Sequence, residues 1–231
     1  MGPFQIDRER TTKAFNDDEM ERIFRGLRSG VRCRWFDRRT SLGKRNHGVI
    51  VTLLATGCRS VSLTRLLVGD VALQDGKVGL QLQNKKKPGA TRSHITTLWL
   101  TGESAEWMAA VMRGRPGGNK PTDYVFCALT TRGKPIPEKP ISSSAIQHIV
   151  GEFSRALGFP DEKGKRVTSH RFRHSLASRM GDAGAGLSDL CKQFGWSSYK
   201  MAEVYVSTEG TGSGWDLIRS KAKDDFWLIE D

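Results

Sequence analysis

A mainly helical domain with one small three-stranded antiparallel sheet, an α+β fold, is what this sequence predicts. Three observations predict it. Apolar residues recur at helical spacing in separate stretches, as in Met20, Ile23, Phe24 and Leu27. Three short runs of β-forming residues, 71–73, 78–82 and 95–100, follow one another, and the first two are joined by Asp75-Gly76, a two-residue hairpin signal. Glycine and proline clusters divide the rest into segments too short for anything but compact helices.

Taken in order, residues 1–15 are polar and read as a linker, or a non-native remnant at Gly2-Pro3. Asn16-Asp17-Asp18-Glu19 supplies a cap and acidic side chains for a first helix. Residues 22–45 hold many Arg and Lys against one acid downstream of that cap, Asp37. Residues 49–67 read as a buried helix pair broken at Thr56-Gly57. The second turn of the sheet carries Asn84-Lys85-Lys86-Lys87-Pro88-Gly89. After Thr101 a helix runs through Trp107 and Met112 and stops near Gly114. Residues 114–142, rich in Gly, Pro and Lys, read as a long surface connection. Ser142-Ser143-Ser144 opens a helix with Ile146, Ile149, Val150 and Phe153 on one face. Residues 168–205 read as three helical pieces, with breaks at Gly181, Gly184 and Gly186 and again at Gly195. An amphipathic segment over 214–228 holds Trp215, Leu217, Ile218 and Phe226. No internal repeat is visible.

Composition narrows the partner. The chain has 231 residues, 37 Lys plus Arg against 25 Asp plus Glu, and a formal charge of +12. That length buries a core without disulfides, and that charge points to a polyanion, nucleic acid first. Cys33, Cys58, Cys127 and Cys191 lack zinc-site spacing and read as reduced thiols in the cytosol. The N-terminus shows no apolar signal region, and no stretch reaches membrane-spanning length. The expected partner is therefore nucleic acid, with no membrane, no metal and no cofactor.

Three segments carry chemistry. In Ala55-Thr56-Gly57-Cys58-Arg59-Ser60 an Arg lies between two apolar runs, where burial demands an anion or acceptor. Taken alone, the segment is better explained by a structural Arg capping backbone carbonyls. In Ser169-His170-Arg171-Phe172-Arg173-His174, His170 and Arg173 share a helix face and can meet one phosphate, while Arg171 and His174 point elsewhere. A solvated basic face is the plain alternative. In Phe194-Gly195-Trp196-Ser197-Ser198, Trp196 follows a helix-breaking Gly, and Tyr205 lies nine residues later. Either aromatic alone is more often core than catalytic.

Together, Thr-Gly-Cys-Arg, His-x-x-Arg-His, Gly-Trp and Tyr in this order resemble the tyrosine recombinases, the family of phage integrases and related site-specific recombinases. The similarity runs from about residue 16 to the end. It implies the catalytic-domain fold of that family, with a catalytic domain over 16–208 and a tail over 209–231 exchanged between protomers or packed on its own domain. It implies Tyr205 as nucleophile, a 3′-phosphotyrosyl intermediate and a free 5′-hydroxyl. Arg59 and Arg173 would neutralise the phosphate oxygens, and His170 would move a proton or hydrogen-bond the phosphate. Trp196 stands where the family often has His and can only donate a hydrogen bond or pack near Tyr205. The family's lysine, general acid for the leaving oxygen, falls among Lys85, Lys86 and Lys87. Strand alternation favours Lys86 and alignment of the strand end favours Lys85, which is the choice made here. Lys86, Lys87, Arg92 and Arg171 are expected to contact DNA phosphates. The resemblance further implies a homotetramer on DNA, monomeric when free, in the cytoplasm and on the nucleoid when bound, working without metal or ATP. Ser62 replaces the acid that the family usually carries three residues after its first Arg. Family members generally carry a helical DNA-binding domain ahead of the catalytic one, so the chain is expected to be either a truncated piece or a minimal protein, with weak, salt-sensitive DNA binding. A type IB topoisomerase-like enzyme and a catalytically silent DNA-binding regulator are the competing expectations.

Overall fold

The computed structural model describes residues 14–31, 33–83, 95–159 and 167–206. The helices among them are α1 (Asp17–Ser29), α2 (Ser41–Thr56), α3 (Ser60–Leu63), α4 (Gly102–Gly114), α5 (Ser143–Ala156), α6 (Ser169–Asp182) and α7 (Leu187–Phe194). The strands are β1 (Val71–Gln74), β2 (Lys77–Gln83), β3 (Ile95–Leu100), β4 (Cys127–Leu129) and β5 (Pro135–Pro140). This is the mainly helical fold with a small three-stranded sheet that the sequence predicts.

α1 starts where its cap lies. The Asn16 side chain accepts the Glu19 N–H and the Glu19 carboxylate accepts the Asn16 N–H, each at 2.9 Å, so two otherwise unsatisfied donors are paired. Met20, Ile23, Phe24 and Leu27 are its buried face. The linker expected over residues 1–15 stops short of its boundary. Phe15 is 3% exposed, packs edge-on against Phe172 at 5.0 Å and donates its N–H to the Ser175 hydroxyl at 2.7 Å. One aromatic at the end of a polar stretch gives no periodicity to read.

α2 is the axis of the molecule. Every residue from Gly48 to Thr56 is buried, as fits a helix surrounded on all sides. It packs on α4, α5 and α6.

The sheet is β1-β2-β3, antiparallel throughout. Leu80 pairs with Val71 on one side and Leu98 on the other, and Val78, Leu80, Leu82, Leu98 and Leu100 face the core. Asp75 and Gly76 both take positive φ, 49° and 71°, the geometry a tight two-residue hairpin requires. The lysine-bearing turn, with Lys85, Lys86, Lys87 and Arg92, lies outside the described residues, as does the amphipathic segment over 214–228.

Residues 114–142 are not the plain surface connection that the sequence suggests. β4 and β5 pair antiparallel, and Val125, Phe126 and Cys127 are buried. Pro135, Pro137 and Pro140 hid the strand, because proline cannot donate to a ladder; a two-stranded hairpin, with one free edge per strand, accommodates them.

Two apolar clusters result. The larger joins α1, α2, the inner face of the sheet, α4, α5 and Phe172 of α6. The smaller is built from Leu176, Ala177, Met180, Leu190, Phe194 and Ala202, with Trp196 and Tyr205 packed at its margin. α6 spans both.

Candidate active site

The Thr-Gly-Cys-Arg segment is the C-terminus of α2 and the start of α3. Thr56 is buried, and its hydroxyl donates to the Thr52 carbonyl at 2.6 Å and accepts the Cys58 N–H at 3.2 Å. Gly57 ends the helix in the left-handed conformation, φ 58° and ψ 21°, which favours glycine. A Cβ there would also come within 2.7 Å of the Phe194 ring. The chain then turns so that half-buried Arg59 occupies the N-cap of α3. Burial pushes the neighbouring Cys58 thiol up to about 11, so it stays a neutral filler.

α6 brings the second segment to the same place. Its start is secured by Gln147, whose amide donates to the Ser169 hydroxyl at 2.7 Å and accepts the Ser169 N–H at 3.2 Å. Arg173 is 7% exposed. It donates to the Gly57 carbonyl at 3.0 Å and to the Phe194 carbonyl at 2.7 Å. Arg173, rather than Arg59, is thus the arginine seen holding backbone carbonyls. A guanidinium has five N–H groups, so these two bonds fix its plane without exhausting it. Burial, then the nearby charge of Arg59, brings its pKa down to about 10. It stays cationic at neutral pH, and an anion would relieve both costs. His170 is exposed, and its pKa is lowered by partial burial, then by Arg173 and Arg59. These three groups therefore share one electrostatic environment, with the imidazole biased toward neutrality.

The third segment closes the site. α7 ends at Gly195, again left-handed, and the Trp196 N–H donates to the Cys191 carbonyl at 3.0 Å. This sets the indole between two partners. The Arg173 guanidinium lies 5.3 Å from its ring centre, and the Tyr205 ring stacks on it at 5.6 Å and 15°. Tyr205 ends a 3-10 turn, Glu203–Tyr205, with its N–H on the Ala202 carbonyl at 2.9 Å. The last expected helical piece is therefore two short 3-10 turns, Tyr199–Met201 and Glu203–Tyr205.

Two side chains lie otherwise than the sequence suggests. His174 does not point elsewhere: its Nδ1 is hydrogen-bonded to the Tyr205 hydroxyl. The signal was present, because residue 174 is four after His170 and lies on the same helix face. Arg171, expected on DNA, is turned to α1. Both Glu19 carboxylate oxygens accept from its Nη2, at 2.8 and 2.7 Å, and it lies over the Phe15 ring at 4.5 Å. Ser62 is fully buried in α3. Lys85, Lys86, Lys87 and Arg92 lie outside the described residues.

A cavity of about 520 Å³ is lined by Trp196 with Ile95, Thr97, Ser188, Lys192 and Tyr199 among others. Arg59, His170, Arg173 and Tyr205 are not in its lining. The candidate site is therefore defined by its side chains and not by this cavity. Among the described residues no three His, Cys, Asp or Glu could hold a metal ion, and no helix is long and apolar enough to cross a membrane.

Comparison with known proteins gives a consistent picture. The phage integrase family matches residues 13–210. Tyrosine recombinase XerS of Streptococcus equi subsp. zooepidemicus is 26% identical over 163 residues, 71% of this chain and 42% of the relative. XerS of Streptococcus pyogenes serotype M1 is 27% identical over the same shares. The chain thus spans less than half the length of the curated relatives it matches. Among solved structures, XerH site-specific recombinase bound to difH substrate superposes with a TM-score of 0.63 at 16% identity, over 84% of this chain and 49% of that one. A lambda integrase dimer bound to a COC′ core site gives 0.54 at 18%, over 86% and 50%. At these identities the shared property is the fold.

Proposed function

The chain belongs to the phage integrase family, and from that premise we propose that it cuts and rejoins double-stranded DNA through a covalent bond between Tyr205 and a 3′-phosphate. One observation carries the reading: Arg173 joins the three separated motifs, bonded to Gly57 and Phe194, in contact with Trp196 and electrostatically coupled to Arg59 and Tyr205. Arg59 and Arg173 hold the non-bridging oxygens of the scissile phosphate and the charge that grows on them. His170 hydrogen-bonds that phosphate, and Trp196 orients the Tyr205 ring. Lys85 delivers a proton to the leaving 5′-oxygen. The bond energy is kept in the phosphotyrosine, so neither ATP nor metal is consumed. Residues 16–208 form the catalytic unit, the tail over 209–231 exchanges between protomers, and four protomers act together on DNA in the cytoplasm. Lys86, Lys87 and Arg92 contact phosphates without reading sequence.

The test is covalent capture. Nicked duplexes with a randomised core, offered to the wild-type protein, are expected to yield a denaturant-resistant protein–DNA adduct that Tyr205→Phe does not form. Adduct of equal yield from Tyr205→Phe would overturn the assignment of the nucleophile, and no adduct from wild type would overturn the reaction.

A further inference from the structure

The hydrogen bond between His174 and Tyr205 has no part in the chemistry assigned so far. Its two ends are held independently. Tyr205 is fixed by the parallel stack on Trp196, by the Ala202 carbonyl and by the close approach of its own carbonyl to Gly181. His174 is half-buried on α6, one residue past an arginine pinned at both ends to backbone carbonyls. The Nδ1 contact to the phenol oxygen is thus made by two preorganised groups.

We propose that His174 is a catalytic residue, the base that takes the phenol proton of Tyr205 as it attacks the DNA phosphate. This rests on the transesterification reading above and names the group that activates its nucleophile. Nδ1 accepts in the tautomer that carries its hydrogen on Nε2. In the forward step the Tyr205 O–H bond breaks and its proton passes to Nδ1. The Oη–P bond forms as the P–O5′ bond breaks, and the 5′-oxygen is protonated by the acid assigned there. In rejoining, the 5′-hydroxyl returns its proton to the conjugate base of that acid as it attacks phosphorus, the Oη–P bond breaks, and the proton on Nδ1 returns to the departing phenolate. His170 is a weakened base: partial burial, then the charges of Arg173 and Arg59, disfavours its protonated form. That leaves His170 as a neutral partner of the phosphate and His174 as the proton acceptor, two roles on one helix face.

The experiment uses the full chain and the duplex that the wild-type protein captures, followed in a single turnover. His174→Ala is expected to slow adduct formation about a hundredfold, the usual scale for a lost general base. His174→Gln, whose amide hydrogen-bonds the phenol but cannot carry its proton away, is expected to stay as slow. Free imidazole is expected to speed His174→Ala and leave wild type unchanged. Replacing Tyr205 by 3-fluorotyrosine, a more acidic phenol, is expected to narrow the gap between His174→Ala and wild type. Wild-type rates from His174→Ala, or full recovery in His174→Gln, would overturn the proposal while leaving the reaction intact. A wild-type protein that captures no duplex would overturn the reaction itself and this proposal with it.

Discussion

Gly181 shows how closely single residues set this site. It lies inside α6, which runs on to Asp182, and is not the helix break that its composition suggests. Its role is proximity: a methyl group at this position would collide with the Tyr205 carbonyl, so only glycine lets the Tyr205 backbone rest on the helix. Gly181→Ala is therefore expected to lower covalent adduct formation at least tenfold while far-UV circular dichroism stays unchanged, at a stability cost of about 1–3 kcal/mol for overpacking. Adduct formation at the wild-type rate would show that Tyr205 does not depend on this contact. The sequence singled out Arg59, His170, Arg173, Trp196 and Tyr205 because motif order and spacing are local properties. It concealed the Gly181 and Arg171 contacts, because both depend on which element lies opposite. Arg171 looks like any exposed cation until α1 delivers Glu19 to it.

Elements were legible where their ends carry their own chemistry. The Asn16–Glu19 cap, the Asp75-Gly76 hairpin and the glycine stops at 57 and 195 each announce themselves by residue type. The β4–β5 hairpin did not, because its prolines erase the strand signal while tertiary packing of Val125 and Phe126 supplies the stability. α1 and α6 meet through Glu19, 5% exposed, and Arg171. Glu19 also caps its own helix, so one carboxylate joins two elements. Removing it as Glu19→Ala leaves a guanidinium and a helix N-terminus without their acceptor. The expected loss is about 2 kcal/mol in urea unfolding, the scale of a charged hydrogen bond. A double-mutant cycle with Arg171→Ala should return a coupling of about 1 kcal/mol, and additive losses would argue that the pair holds nothing together.

At the scale of the whole molecule, two histidines make folding sensitive to acid. His47, packed in α2 with Nε2 on the Leu27 carbonyl at 3.2 Å, has its pKa lowered chiefly by burial and further by Arg38, and His170 is lowered as well. The unfolded chain takes up protons near the ordinary histidine value of about 6.5, whereas the folded chain resists them until lower pH. Stability is therefore complete above that value and is lost as pH falls through it. The melting temperature is expected to drop between pH 7.5 and 5.5, and His47→Gln to flatten part of that drop. An equal drop in the variant would assign the effect to other groups. Tyr205, finally, packs at the margin of the minor apolar cluster, whereas Arg59 opens the short helix α3 that follows the central helix of the major one. On the proposed function, warming that loosens the smaller cluster first would release Tyr205 ahead of Arg59. Such a protein would still hold DNA while having lost the ability to break it.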